Sequence, residues 1–186
     1  MAGHHLILGE LTDFITHETL VDTHDERLRQ GLAERLVNEK GFSRGDIRPR
    51  WPLTLKAGEK CAVINIDFGI IIDSRVCMMI KYGPGSLVTR HRPALAVSRL
   101  LAAYQIPVVV VTNGMDADIL DGASAKVVAR GLDAVPDRAA LKNMVAGRTF
   151  DAIQPGRAEM ESRIAFAFEV DGSCPCDDTV CIINDE

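Results

Sequence analysis

The stretch Cys61-Ala62-Val63-Ile64-Asn65-Ile66-Asp67-Phe68-Gly69-Ile70-Ile71-Ile72 is followed by Asp73-Ser74-Arg75 and then by Val76-Cys77-Met78-Met79-Ile80-Lys81-Tyr82. Its reading decides the fold class. Ala62, Ile64, Ile66 and Phe68 alternate with Val63, Asn65, Asp67 and Gly69, the period of two that belongs to a strand. Asp73-Ser74-Arg75 is a tight turn and the residues after it are again β-rich, so the pair predicts a hairpin. Asp67 stands out because a carboxylate in an apolar strand is costly without a partner. It reads either as a site residue or as the exposed face of an edge strand.

Outward on the N-terminal side, residues 48–56 read as extended, with Pro49 and Pro52 confining them to a sheet edge or a loop. Residues 57–60 read as a turn. Further back, Leu28, Leu32, Leu36 and Val37 recur at helical spacing between Arg27, Arg29, Glu34 and Arg35. Thr23 or Asp25 suits the start of this helix and Gly41 its end. The residues before Thr23 have no clear period and read as irregular, with room for a short strand or turn.

On the C-terminal side, Gly83-Pro84-Gly85-Ser86 breaks the hairpin. Residues 93–104 carry Leu95, Val97, Leu100 and Leu101 at helical spacing. Val108-Val109-Val110-Val111-Thr112 reads as a central strand buried on both faces, ended by Asn113-Gly114. Residues 119–122 predict a short strand and turn, 126–132 a strand-like segment, and 138–146 and 157–169 two helices. The tail from Asp171 reads as a loop. The expected fold is therefore α/β, a mixed central sheet with flanking helices and one crossover helix between the hairpin and the valine strand. The expected division is an opening segment 1–17, a core 18–135, and a C-terminal helical extension with a cysteine-containing tail 136–186.

Composition narrows the function classes. With 186 residues, 47% hydrophobic and 25% charged, the chain suits one domain with a buried core, and the composition argues against disorder as its main state. There is no room for a nuclease and a motor together. The net charge of −5 argues against a protein that coats nucleic acid by bulk electrostatics. The first residues lack a basic, apolar secretory leader, and the apolar runs are too short to span a membrane. The five cysteines are odd in number, with three of them close to the C-terminus. That pattern suits a reducing cytoplasm better than a secreted disulfide framework.

Four stretches carry a resemblance. They are Asp25-Glu26-Arg27-Leu28-Arg29-Gln30 opening a helix that runs to Gly41-Phe42, Asn65-Ile66-Asp67-Phe68-Gly69-Ile70-Ile71 on a strand, Met79-Ile80-Lys81 on its hairpin partner, and the valine run closing in Thr112-Asn113-Gly114. In order and spacing, over residues 18–135, they resemble the N-terminal nuclease domain of type I restriction enzyme R subunits, a branch of the PD-(D/E)XK nucleases. The resemblance implies a restriction-endonuclease-like core and a metal-dependent DNA endonuclease using Mg²⁺ or Mn²⁺. Such a site joins an Asp on one strand to a Glu-x-Lys on its neighbour, with a further Glu on the first helix. The acids hold the metal, which polarises phosphate and acidifies water, while the Lys steadies developing charge. Asp67, Lys81 and Glu26 match as catalytic residues, with Asp67 and Glu26 as metal ligands.

The match breaks two residues before Lys81, where Met79 replaces the second acid, and methionine does not bind Mg²⁺. Residues 93–104 also lack the glutamine on the helix after the motif. Either Asp73 or Glu59 substitutes, or the domain is a catalytically inactive module for protein or nucleic-acid binding. A small-molecule enzyme on an unrelated α/β fold is a third class. Taken singly, Lys81 reads as a solvated lysine and Glu26 as a residue favouring a helix start.

Ser86, Arg90, His91 and Arg92 form the most basic local stretch and are the candidate nucleic-acid contacts, alongside the reading of a turn into a solvated helix start. The loop lacks the Gly-Lys-Ser/Thr ending of a nucleotide-binding loop. Cys174, Cys176 and Cys181 invite zinc or an iron–sulfur cluster, but the spacing is unusual and no fourth ligand stands out, so free thiols or a redox-labile pair are the simpler reading. His4, His5, His17, His24 and His91 are scattered and form no zinc motif. Met78-Met79 reads as packing. DNA, a second copy of the chain and a protein partner are the candidate partners, with no membrane.

Overall fold

The hairpin read from the alternating stretch lies inside a seven-stranded mixed sheet. The structure is a computed structural model and describes residues 7–172 together with the backbone of 180–183. The first strands, β1 (Gly9–Thr12) and β2 (Thr19–Asp22), pair with each other and are followed by α1 (His24–Asn38). The sheet then begins with β3 (Ile47–Ala57), β4 (Lys60–Ile72) and β5 (Arg75–Tyr82). Helix α2 (Val88–Ser98) crosses to β6 (Val108–Thr112), which continues into β7 (Ala117–Asp121) and β8 (Val127–Arg130). Two further helices, α3 (Arg138–Val145) and α4 (Pro155–Glu169), precede a last strand β9 (Val180–Ile183). The strand order is β3-β4-β5-β6-β7-β8, with β9 on β4; β5 and β6 are parallel and the other pairs antiparallel.

Local chemistry explains the elements. The β4–β5 turn places Asp73 and Ser74 at positive φ, 49° and 63°, a geometry compatible with the twist of a two-residue hairpin. The valines of β6 alternate between two apolar layers. Val108 and Val110 join Leu32, Leu36, Ile70 and Ile80 on the α1 side, whereas Val109 and Val111 join Met79, Leu120 and Phe166 on the α2/α4 side. All four valines are at most 1% exposed, as a central strand covered on both faces requires. Strand β3 lies at the sheet edge, where its prolines remove no needed donor.

Two elements differ from the sequence expectation. Helix α2 starts at Val88 rather than at 93 and ends at Ser98, with Pro93 inside it. Burial of Ala94, Leu95, Ala96 and Val97 against the sheet outweighs the helix-breaking tendency of proline. Beyond the helix, the Tyr104 hydroxyl accepts a 2.7 Å bond from the Val76 N–H, so that stretch follows the sheet instead of the helix axis. The tail contains β9, a short strand made by pairing with β4 rather than by its own periodicity. The opening residues, read as irregular with room for a short strand or turn, form the paired short strands β1 and β2. Among the described residues, no helix is long and apolar enough to cross a membrane.

Candidate functional site

Strand β4 forks in its middle. Its first part, Cys61 to Ile64, pairs with β9, and β5 joins it only from Phe68 onward. Between these stretches its even-numbered residues change layers: Ala62, Ile64 and Ile66 pack on the α2/α4 side, Phe68, Ile70 and Ile72 on the α1 side. A strict period of two would keep them on one face, so the strand turns over at Asp67. On the neighbouring β3, Arg50 has φ 43°.

Asp67 is 7% exposed at this fork. Its Oδ2 accepts the backbone N–H of Tyr82 at 2.8 Å, so the side chain takes the place of a ladder partner where the strands part. Its Oδ1 accepts Arg29 Nε at 2.7 Å. Arg29 comes from the first turns of α1, where Thr23 caps the helix by accepting the Glu26 N–H at 3.1 Å. Helical spacing puts Glu26, Arg29 and Gln30 on one face. Arg29 Nη1 lies 3.4 Å from Glu26 Oε2, and Gln30 Nε2 donates to Glu26 Oε1 at 2.7 Å.

The network continues past this trio. Gln30 Nε2 also donates to Asp13 Oδ2 at 3.0 Å, and Arg50 donates to the same Asp13 oxygen. Burial raises the Asp13 pKa, but the bonds from Arg50, the Thr16 N–H and Gln30 bring it down to about 2. The Arg29 guanidinium lies 5.1 Å over the Tyr82 ring, and the Tyr82 hydroxyl donates to Asp25 at 2.8 Å. Burial and Asp25 push the Tyr82 phenol well above its usual value. Desolvation works against the Arg29 charge, and Asp67, Glu26 and Asp25 more than offset it, raising its pKa.

Lys81 stands on β5 beside the fork and pairs in register with Val111 of β6. Its Nζ lies 3.0 Å from Oε2 of Glu169, the last residue of α4, and both side chains are under a fifth exposed (14% and 17%). Burial disfavours its charge, but Glu169 and Asp67 overcome this and raise the Lys81 pKa. Met79 is fully buried in the α2/α4 layer. Asp73 and Glu59 both sit in hairpin turns away from the fork, Asp73 3.6 Å from Lys142.

These residues test the divalent cation that the resemblance implies. Mg²⁺ needs free carboxylate oxygens in near-octahedral array. Both oxygens of Asp67 and both of Glu26 are already engaged, and the guanidinium of Arg29 lies between the two carboxylates. Among the described residues, no group of three or more His, Cys, Asp or Glu is arranged to hold a metal. As arranged, the residues do not fit the ion. Cys174 and Cys176 lie outside the described residues, as does the side chain of Cys181.

The basic side chains after β5 are each engaged by a protein partner. Arg90 packs over Gly83, where a Cβ would meet its guanidinium at 2.4–2.7 Å, and donates to the Pro84 carbonyl at 2.9 Å. His91 Nε2 lies 2.7 Å from Asp118 Oδ2 on β7, a carboxylate that also meets Arg130 at 3.3 Å. Arg92 reaches Glu161 of α4 at 2.6 Å. Glu161 also holds Arg99 at 2.7 Å and Arg157 at 3.5 Å, so three guanidinium groups share one carboxylate. Ser86 stays exposed in the loop.

The structure thus brings Asp67 and Glu26 together through Arg29, places Lys81 beside them, and leaves Ser86, Arg90, His91 and Arg92 around the α2 N-terminus. Sequence reading missed Arg29, Gln30, Tyr82, Glu169 and Asp118. The four-residue spacing of Glu26 and Gln30 and the three-residue spacing to Arg29 were signals on the helix. Glu169 had none, because only the packing of α4 carries it to Lys81.

The family described as the N terminus of type I restriction enzyme R proteins matches residues 24–136, more than half of the chain. No curated protein and no solved structure matches it. The matched segment runs from the start of α1 past β8 and so includes Glu26, Asp67 and Lys81. The chain belongs to the family of type I restriction enzyme R protein N-termini.

Proposed function

We propose that this domain is a non-cleaving member of the restriction-endonuclease-like group, which keeps the scaffold and binds nucleic acid without hydrolysing it. One observation carries the reading: Asp67 gives both carboxylate oxygens to Arg29 and the Tyr82 N–H, while Met79 stands buried where a second acid is needed. Phosphodiester hydrolysis by this group depends on metal-activated water. With Asp67 and Glu26 committed to protein donors, the chemistry lacks its starting point. Family membership and the mixed α/β fold support the scaffold half of the proposal.

Support for nucleic-acid contact comes from the corner between α2 and α4. Among the described residues, Arg92, Arg99 and Arg157 share the one carboxylate of Glu161, which leaves positive charge in excess at this corner. Arg92 and Arg157 remain about half exposed (43% and 53%), and the Ser86 loop lies at the start of α2. Such a patch contacts phosphates rather than reading bases. Against a net charge of −5 it gives weak, salt-sensitive binding. A cytoplasmic location belongs to the same proposal, and the free thiols of Cys61 and Cys77 support it.

Fluorescence anisotropy with a labelled DNA duplex tests the binding half. The expected result is micromolar affinity at low salt, with Arg92→Gln and Arg157→Gln each reducing the slope of log K against log salt by about 1. Absence of binding at low salt, or slopes unchanged in both variants, contradicts it.

A further inference from the structure

Resting on the non-cleaving reading, we infer that Arg29 is a built-in cation: its guanidinium occupies the position between Glu26 and Asp67 where this fold would admit a divalent ion, and thereby keeps the domain free of one.

The geometry supplies the argument. Arg29 uses Nε on Asp67 at 2.7 Å and Nη1 on Glu26 at 3.4 Å, so one planar group spans both carboxylates. A guanidinium is always charged, offers donors in a fixed fork and is weakly hydrated, so it enters a half-buried site more easily than a tightly hydrated Mg²⁺. The group is held on three sides. Tyr82 lies beneath it at 5.1 Å, Gln30 fixes Glu26 at 2.7 Å, and the Tyr82 N–H fixes Asp67 at 2.8 Å. Its side chain is 19% exposed. Lys81, a second cation of the neighbourhood, is engaged by Glu169.

Tethering decides the competition. A cation joined to the same chain acts at an effective concentration of the order of millimolar or more. A free divalent ion must displace it and also shed part of its own hydration. Removing the guanidinium while keeping side-chain length should therefore uncover two adjacent carboxylates that have lost the cation bridging them. The same loss destabilises the fold, and a bound ion should restore part of it, since a ligand that binds only the native state stabilises that state.

The test is a titration of the 186-residue wild type, Arg29→Met and Arg29→Met/Asp67→Asn with MnCl₂, following free Mn²⁺ by electron paramagnetic resonance and the melting temperature in parallel. Arg29→Gln serves where the methionine variant does not fold. The expected result is no saturable site in the wild type, one site in the Arg29 variant at least about tenfold tighter than any wild-type binding, and loss of that site in the double variant. The melting temperature of the Arg29 variant should rise with Mn²⁺ while that of the wild type stays constant. Equal Mn²⁺ binding by wild type and Arg29 variant overturns the inference, as does absence of binding in a folded Arg29 variant. Plasmid nicking by the wild type tests the non-cleaving reading separately, so failure here and failure of that reading remain distinguishable.

Discussion

Arg29 Nε lies 2.7 Å from Asp67 Oδ1, joining the first helix to a strand residue 38 positions further along the chain. Asp67 is 6% exposed at its side chain and Arg29 19%, so neither partner recovers full hydration if the other is removed. Asp67→Ala and Arg29→Ala should each cost about 3 kcal/mol, because each leaves a desolvated charge without its partner. The double variant should cost less than the sum, with a coupling of about 1–3 kcal/mol in a double-mutant cycle. Urea denaturation of the four proteins measures this directly, and strict additivity would mean the pair is incidental.

Asp13 gives a pH signature. Its carboxyl is depressed to about 2 in the folded chain, against an ordinary value of 3.8. A depressed acid contributes stability that is present above its unfolded pKa and lost as pH falls through the folded one. Unfolding free energy should therefore drop by about 2 kcal/mol between roughly pH 4 and pH 2 on account of this group. Asp13→Asn should flatten that part of the stability–pH curve, and an unchanged acid limb would show that Arg50 does not hold the charged form.

Gly69 lies under the only tryptophan of the chain. A Cβ at Gly69 would stand 2.6 and 2.9 Å from ring atoms of Trp51, inside normal contact. Gly69→Ala should push the ring aside, shift the tryptophan emission and cost about 1–3 kcal/mol as an overpacking change. In a Trp51→Ala background the same alanine should cost little. Equal costs in both backgrounds would place the strain elsewhere.

Glu161 neutralises a buried arginine. It is 3% exposed and holds Arg99, itself 6% exposed, at 2.7 Å. Desolvation and the neighbouring Arg157 and Arg92 depress the Arg99 pKa despite this partner. Glu161→Ala should cost about 3–5 kcal/mol by leaving that guanidinium uncompensated. Glu161→Ala/Arg99→Met should recover much of the loss, read by chemical denaturation. Absence of recovery would mean that Arg92 and Arg157, not Arg99, carry the dependence.

The parts of the fold set by short-range pattern were legible in advance. The β4–β5 hairpin follows from alternation and the Asp73-Ser74 turn, the central strand β6 from its valine run, and α1 from its leucine spacing. The parts set by long-range pairing were not. Strand β9 exists because β4 has an open edge before β5 joins it, and no local signal announces that. Helix α2 extends through Pro93 because its next four residues are buried. At the site, the resemblance named the matched acids and lysine, while among their electrostatic partners only Arg29 and Gln30, spaced along the helix from Glu26, carried a local signal. Glu169 is 88 positions after Lys81 (169 − 81), and only the packed α4 brings it within 3.0 Å.

Supercoiled-plasmid nicking is the most direct measurement of the central claim, that this nuclease-like domain does not cleave DNA. Purified wild type, Asp67→Ala and Lys81→Ala are incubated with plasmid in Mg²⁺ and in Mn²⁺, and nicked circle is followed over time. The predicted result is no more nicking by the wild type than by either variant. Time-dependent nicking by the wild type that disappears in both variants would contradict it.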